Sequence, residues 1–422
     1  MRTDGVDFGY AVKAVVDLDA NRKLRIGNEF HGQRLDDWWD PVAGMRTSMC
    51  CNTFWNIRNG QRDRFSSFAE MENRWNPQWV STFGIRTDIV HMNTGTVQGY
   101  SNVNVGPGMM GPMVTVNYLQ DAAAFNAARR EKTDVNLDLA AVTKYEPDAS
   151  QSYEFGVTRK TRSPSLYERY TWSKGSPTFG MSPNMVNWFG DANGYVGNLA
   201  LKPEAAHRLG VTGTWRDAKS GVWEVSLAPY ASYVQNYIDA DLLWRQRTMM
   251  GMNTPFVTLQ FANHDAAIAG FDLSGRYRLL EDARMGRLTL SGFFSYLNGR
   301  NLDTNRNLFH MMPPNGKLAL EHAIGLWGGE LKTTLEMEAV AAKTHVDTVR
   351  RELKTPAYAL FNLRSSYSYR QFRFDLGVEN LFDKQYASPL GGADFTAYRS
   401  TGVLGPLAGR GRTLYSAMAV TF

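Results

Sequence analysis

Gln371-Phe-Arg-Phe-Asp-Leu-Gly-Val-Glu379 is the stretch from which the fold is read. Phe372, Phe374, Leu376 and Val378 fall on one face of an extended chain, and Arg373, Asp375, Gly377 and Glu379 on the other. Side chains alternate across a strand with period two, so this stretch predicts a strand with one dry face and one wet face. Only Arg370-Gln371 separates it from an alternating stretch upstream, which is the length of a tight hairpin turn. Downstream, a long connection at about Asp383–Arg410 precedes a last strand at Gly411–Phe422.

The same rhythm continues outward from this hairpin. Tight turns fall near Gly325–Gly328, Leu280–Gly286, Asp217–Gly221, Glu146–Ser150, Asn76–Gln78 and Leu18–Asn21. Long connections alternate with them, near Lys343–Thr355 and, at their largest, Asn93–Glu131 and Thr161–Pro203. Phe271, Leu273, Gly275, Tyr277 and Leu279 alternate with Asp272, Ser274, Arg276 and Arg278, and Trp79, Phe83, Ile85 and Ile89 with Thr82, Gly84, Arg86 and Asp88. Short turns on one side and long loops on the other are the layout of an outer-membrane barrel. Alternation alone also suits a soluble sandwich, so the aromatics carry the distinction. Trp75 and Trp79, Tyr145 and Tyr153, and Trp215 and Trp223 flank three of the short turns. Rings with an apolar body and a polar tip are satisfied at a membrane–water interface. The expected fold class is all-β, an antiparallel transmembrane β-barrel with about 15 strands present, the first near Val6–Asp17.

Composition fits this reading. The chain is 43% hydrophobic with mean hydropathy −0.37, and no apolar run approaches the ~20 residues of a membrane helix. A net charge of +5 with no basic stripe argues against nucleic acid as a partner. Cys50 and Cys51 are the two cysteines and make no disulfide framework. Met1-Arg-Thr-Asp-Gly-Val lacks the charged-then-apolar pattern of a signal peptide. The first strand enters a short turn, so it runs downward from the outside, and the count of strands is odd. Bacterial barrels have even counts, so Val6–Asp17 is expected to form an open edge, as in an N-terminally incomplete barrel. Unpaired backbone groups in lipid each cost several kcal/mol, so such a wall is not expected to span a membrane alone.

Three motifs bear a family resemblance. Asn198-Leu-Ala-Leu-Lys-Pro-Glu-Ala-Ala-His207 resembles the NxxLKPE segment of TonB-dependent receptors, and Thr161-Arg-Ser-Pro-Ser-Leu-Tyr-Glu168 the stretch that usually precedes it. Glu379-Asn-Leu-Phe-Asp-Lys-Gln-Tyr386 is similar to their near-terminal NLFDxxY motif, followed by Gly409-Arg-Gly-Arg-Thr-Leu-Tyr415. The resemblance implies a β-barrel domain over residues 1–422 from the family's twenty-two-stranded type, with the plug domain, TonB box and signal peptide absent. It also implies location in the bacterial outer membrane, with the lipid bilayer and the TonB complex as partners. The function implied is active uptake of a scarce metal or metal chelate, a ferric siderophore or copper. A passive porin, a surface-binding barrel and a non-functional truncated receptor are the alternatives.

Methionine placement is the one clue to cargo. Of 18 methionines, twelve lie in the expected outer loops: Met45, Met49, Met109, Met110, Met113, Met181, Met185, Met249, Met250, Met252, Met311 and Met312. Cys50 and Cys51 follow Met49, and His310 precedes Met311. Thioether, thiolate and imidazole favour copper over hard cations. Met45, Met49, Cys50, Cys51, Met109, Met110, Met113, Met181, Met185, His310, Met311 and Met312 are therefore candidate soft-metal ligands. Methionine also serves as a flexible filler of irregular packing, and both readings stay open. The adjacent cysteines equally suit a vicinal disulfide or a metal site.

Other features give weaker expectations. Asp36, Asp37 and Asp40, with Trp38 and Trp39, read as an acidic-aromatic loop, and His31, His207 and His322 as lumen residues. Arg86, Arg216, Arg276, Arg278, Arg364 and Arg373 could attract an anionic ferric chelate, or pair with carboxylates of a plug or a neighbouring strand, with Glu70, Glu72 and Asp88 as candidates. No constellation suggests catalysis, so the chain is not expected to be an enzyme, and no cofactor is implied.

Overall fold

The computed structural model describes residues 1–42, 52–100, 118–175, 185–186, 189–248 and 251–421. Six long strands open the chain as an antiparallel meander: β1 (Arg2–Asp17), β2 (Arg22–Trp39), β3 (Phe54–Asn76), β4 (Trp79–Asn93), β5 (Lys132–Asp148) and β6 (Gln151–Arg162). Two short strands follow, β7 (Met185–Val186) and β8 (Gly194–Val196). The meander resumes with β9 (Glu204–Arg216), β10 (Trp223–Arg247), β11 (Asn253–Asp282), β12 (Gly286–Asn301) and β13 (Asn315–Leu326). It finishes with β14 (Gly329–Val340), β15 (Tyr358–Tyr369), β16 (Phe372–Glu379) and β17 (Thr413–Val420). Three helices sit in the connections, α1 (Tyr118–Ala127), α2 (Leu166–Tyr170) and α3 (Phe395–Thr401). Setting aside β7 and β8, fifteen wall strands lie among the described residues, where about fifteen are expected.

Each expected tight turn joins two wall strands at one end. The Trp327–Gly328 turn has positive φ at both residues, 47° and 78°, the geometry whose twist suits a two-residue hairpin. At this end the rings of Trp79, Tyr145, Tyr153 and Trp215 form a continuous row across β4, β5, β6 and β9, with centroids 4.2, 6.4 and 6.0 Å apart. Phe374 lies opposite Tyr367 on β15 and Met418 on β17, so the expected apolar face of the terminal strands is aligned in register. Leu376, Leu414 and Met418 on that face are exposed, as a lipid-facing surface would be in the absence of lipid. Arg373 and Asp375 face the other way and share a polar cavity of about 350 Å³ with Lys332, Arg364 and Glu321.

Among the described residues, β1 pairs only with β2 and β17 only with β16, so the sheet is not closed. The open edge expected at Val6–Asp17 is present.

The packed core lies at the long-loop end. Phe54, Ile57, Met92, Tyr100, Tyr170 and Trp172 belong to one buried cluster and Tyr195, Val257, Leu259 and Phe261 to another. β10 and β11, at 25 and 30 residues, are much longer than the ~10 residues that cross a bilayer. They form one long hairpin, in which Thr248 N–H donates to the Met252 carbonyl at 2.8 Å.

Candidate functional site

The sequence motifs become joints at the long-loop rim. Arg162 ends β6, and its Nε donates to Glu204 Oε2 at 2.7 Å while Nη1 donates to Glu168 Oε2 at 2.9 Å. Thus one guanidinium clamps the Arg-Ser-Pro segment to the Lys-Pro-Glu segment. Glu168 is itself fixed by a capping box, in which Ser165 N–H donates to Glu168 Oε2 at 2.7 Å and Glu168 N–H to Ser165 Oγ at 3.2 Å. The next residue, Arg169, is buried. It pairs with Asp134 at 3.1 Å and donates to Met92 Sδ at 3.3 Å and to the Leu201 carbonyl at 2.9 Å.

The near-terminal motif makes a second joint. Asn380 Oδ1 accepts from Lys384 N–H at 2.8 Å, and its Nδ2 donates to the carbonyls of Lys384 and Arg410 at 2.9 and 3.1 Å. Asp383 Oδ1 accepts from Arg412 N–H at 2.8 Å. Tyr386 lies over Gly409, where an added Cβ would come within 2.3 Å of the ring and would have to displace it.

The third cluster of charged residues surrounds His310. Lys343 Nζ pairs with Glu352 at 2.6 Å, and both side chains are buried. Glu352 accepts the backbone N–H of His310 at 2.9 Å, and the His310 ring stacks on Phe309 with centroids 4.5 Å apart. Burial, with Lys343 as a second cause, holds the imidazole pKa below its usual range, which favours the neutral ring.

The soft-ligand candidates fare unevenly. Met45, Met49, Cys50, Cys51, Met109, Met110, Met113 and Met181 lie outside the described residues, as do Met249 and Met250. Met185 belongs to β7, and its side chain is outside the description. Met311 packs with Val234, Ala266 and Leu308, and fills the space above Gly299. It serves there as an apolar filler. Met312 is half-buried beside it. Among the described residues no group of three or more His, Cys, Asp or Glu could hold a metal ion.

The lumen arginines pair with carboxylates of the wall, Arg276 and Arg364 across to a neighbouring strand as expected and Arg278 and Arg373 within their own strand. Arg86 meets Glu29 at 2.7 Å and Asp88 at 2.9 Å, Arg216 meets Glu146 at 3.6 Å, and Arg276 meets Glu224 at 3.4 Å. Arg278 meets Glu281 at 2.5 Å, Arg364 meets Glu336 at 3.5 Å, and Arg373 meets Asp375 at 2.8 Å. Glu70 and Glu72 instead hold Arg25, at 2.6 and 2.8 Å.

Two expectations need correction. Asp36, Asp37, Trp38 and Trp39 extend β2 rather than forming a loop, and buried Asp37 accepts from Asn56 at 2.8 Å and Thr3 at 3.1 Å. His322 shares the outward face of Leu318 and Leu320, and His207 that of Leu209, so only His31 of the three faces the lumen. Strand parity, once the strand start is fixed, decides the face.

No curated protein sequence matches the chain. Among solved structures, it is similar to the copper transporter OprC at 18% identity and TM-score 0.75, covering 100% of this chain and 57% of that one. It is also similar to the ferric yersiniabactin uptake receptor FyuA of Yersinia pestis, at 11% identity and TM-score 0.63, covering 100% and 54%. The ferric citrate transporter FecA matches at 13% identity and TM-score 0.62, covering 100% and 54%. The chain thus spans little more than half the length of these structures. A family model described as "TonB dependent receptor-like, beta-barrel" matches residues 2–381. With fifteen wall strands, the aromatic row and this match over most of its length, the chain belongs to the TonB-dependent receptor β-barrel family, whose barrels lie in the outer membrane.

Proposed function

We propose that this chain is the barrel wall of an active-transport receptor for a scarce metal or metal chelate, with copper or a ferric siderophore as cargo. One observation carries the reading: the family match coincides with structural likeness to a copper transporter and to ferric-chelate receptors. In this reading residues 1–422 are wall. The plug and TonB box that couple uptake to the TonB complex are carried elsewhere in the receptor, and further strands pair with the free edges of β1 and β17. Edge pairing removes the unsatisfied backbone groups that lipid does not tolerate. Within the metal class, the methionines of the long connections other than Met311, with Cys50 and Cys51, support copper through soft-ligand chemistry.

Uptake by cells carrying the full receptor tests this. Accumulation of radiolabelled copper or ferric siderophore should require both the receptor and an energised inner membrane. Accumulation that persists unchanged after the proton-motive force is collapsed would identify a passive pore instead.

A further inference from the structure

Four connections that leave the wall at separate strands meet over its long-loop end, and two buried cations hold them. Arg350, between β14 and β15, has its side chain 5% exposed and its Nη2 2.6 Å from Asp239 on β10. The rings of Phe309, Phe189 and Tyr195 surround its guanidinium at 4.7, 5.6 and 5.7 Å. Its backbone carbonyl accepts from Asn193 Nδ2 at 2.5 Å. Phe189, Asn193 and Tyr195 come from the β6–β9 connection and Phe309 from the β12–β13 connection.

Lys343, at the start of the same β14–β15 connection, has a side chain 2% exposed. It pairs with Glu352 at 2.6 Å and donates to the Pro389 carbonyl of the β16–β17 connection at 2.9 Å. Glu352 spends its remaining capacity on the backbone N–H groups of His310 and Asp347, at 2.9 and 2.7 Å. Beyond Pro389, Ala393 N–H donates to the Gly190 carbonyl of the β6–β9 connection at 2.8 Å. A Cβ on Gly392 would lie 2.6 Å from that oxygen, so this approach requires glycine. Phe395 and Tyr398 on α3 then rest against Phe256 near the tip of the β10–β11 hairpin, at 5.8 and 5.0 Å.

The two cations differ in what they hold. A guanidinium with a carboxylate partner and several aromatic faces is fixed in orientation by many contacts. An ammonium is a point charge, and Lys343 joins a carboxylate on its own connection to a single carbonyl on another. We propose that the long-loop end is a preassembled cap, with Arg350 as its fixed hub and Lys343 as the latch that releases the β16–β17 connection. Opening that connection toward solvent parts Lys343 from Pro389 and Gly190 from Ala393, while the Arg350 contacts persist. Because a buried carboxylate left without its cation is strongly unfavourable, neutralising Lys343 should loosen the whole latch.

Hydrogen exchange of the full receptor in its membrane, without substrate, tests this for wild type and Lys343→Met. In wild type, residues 384–408 should be protected, and 346–352, held by Arg350, should exchange no faster than they do. In Lys343→Met, residues 384–408 should exchange at least tenfold faster, while the wall segment 329–340 is unchanged. Equal exchange of 384–408 in the two proteins would overturn the proposal. So would wild-type exchange of 384–408 at the rate of an unprotected chain, or exchange of 346–352 faster than 384–408, a comparison that decides the matter even if the variant does not reach the membrane. No cargo enters the measurement, so its failure would leave the transport reading untouched.

Discussion

Arg162 and Glu204 lie 42 positions apart in the chain and 2.7 Å apart in space, at the rim where β6 meets β9. Glu168 completes the site from the other side at 2.9 Å. The Arg-Ser-Pro and Lys-Pro-Glu stretches are therefore one mechanical joint, with a single cation between two largely buried carboxylates.

Replacing Arg162 with Met leaves Glu168 and Glu204 without their shared counter-charge. Arg162 is itself half-exposed, so the loss should be below that of a fully buried pair, about 1–3 kcal/mol. Urea unfolding of the receptor in detergent would measure it. Restoring the balance with Glu204→Gln in the same chain should recover part of the loss, since one of the two carboxylate charges is gone.

Asn380→Ala should destabilise the turn after β16 by about 1–3 kcal/mol, because three backbone partners of a buried amide lose their bonds together. The change should be visible as faster hydrogen exchange at Lys384 and Arg412. The β13–β14 hairpin, which shares none of these bonds, should keep its protection.

These joints mark the limit of what the sequence discloses. Phe372, Phe374 and Leu376 announce their face because period two is a local property, and Trp79 and Tyr145 announce the girdle because each flanks a short turn. The Arg162–Glu204 contact depends on β6 and β9 becoming neighbours across β7 and β8, which no local pattern encodes. His322 is legible as a strand residue, but its outward face follows only from its parity with Leu318 and Leu320. Connection lengths are legible in the sequence. The packing of Lys343 against Pro389, between connections of different hairpins, is not.

Asp217 provides a test of turn chemistry by pH. Its carboxylate accepts the Ser220 hydroxyl and the N–H groups of Ser220, Val222 and Lys219, and these bonds lower its pKa from 3.8 to about 2. A depressed pKa stabilises the folded turn at pH values above 3.8 and loses that contribution as pH falls through about 2. Carbon NMR of the labelled carboxyl should show a midpoint near 2 in wild type. Removal of the donating hydroxyl in Ser220→Ala should move the midpoint upward.

Met311→Leu should change stability by less than about 1.5 kcal/mol and leave metal binding unaltered, since a volume-conserving exchange suits its packing against Leu308 and Gly299. Thermal unfolding and metal titration of the same preparation check both halves. A loss of copper binding in this variant would make Met311 a ligand rather than a filler.

Titration of the purified full receptor with Cu(I) and with a ferric siderophore, in wild type and in Met45→Leu/Met49→Leu, tests the central claim most directly. Leucine keeps the bulk of methionine and removes its sulfur. The account predicts saturable binding of metal or chelate by wild type. For copper as cargo, it predicts Cu(I) affinity at least tenfold weaker in the double variant. Saturable siderophore binding without copper binding would move the cargo to the ferric branch, whereas saturable binding of neither would contradict the reading of this barrel as a metal-uptake receptor.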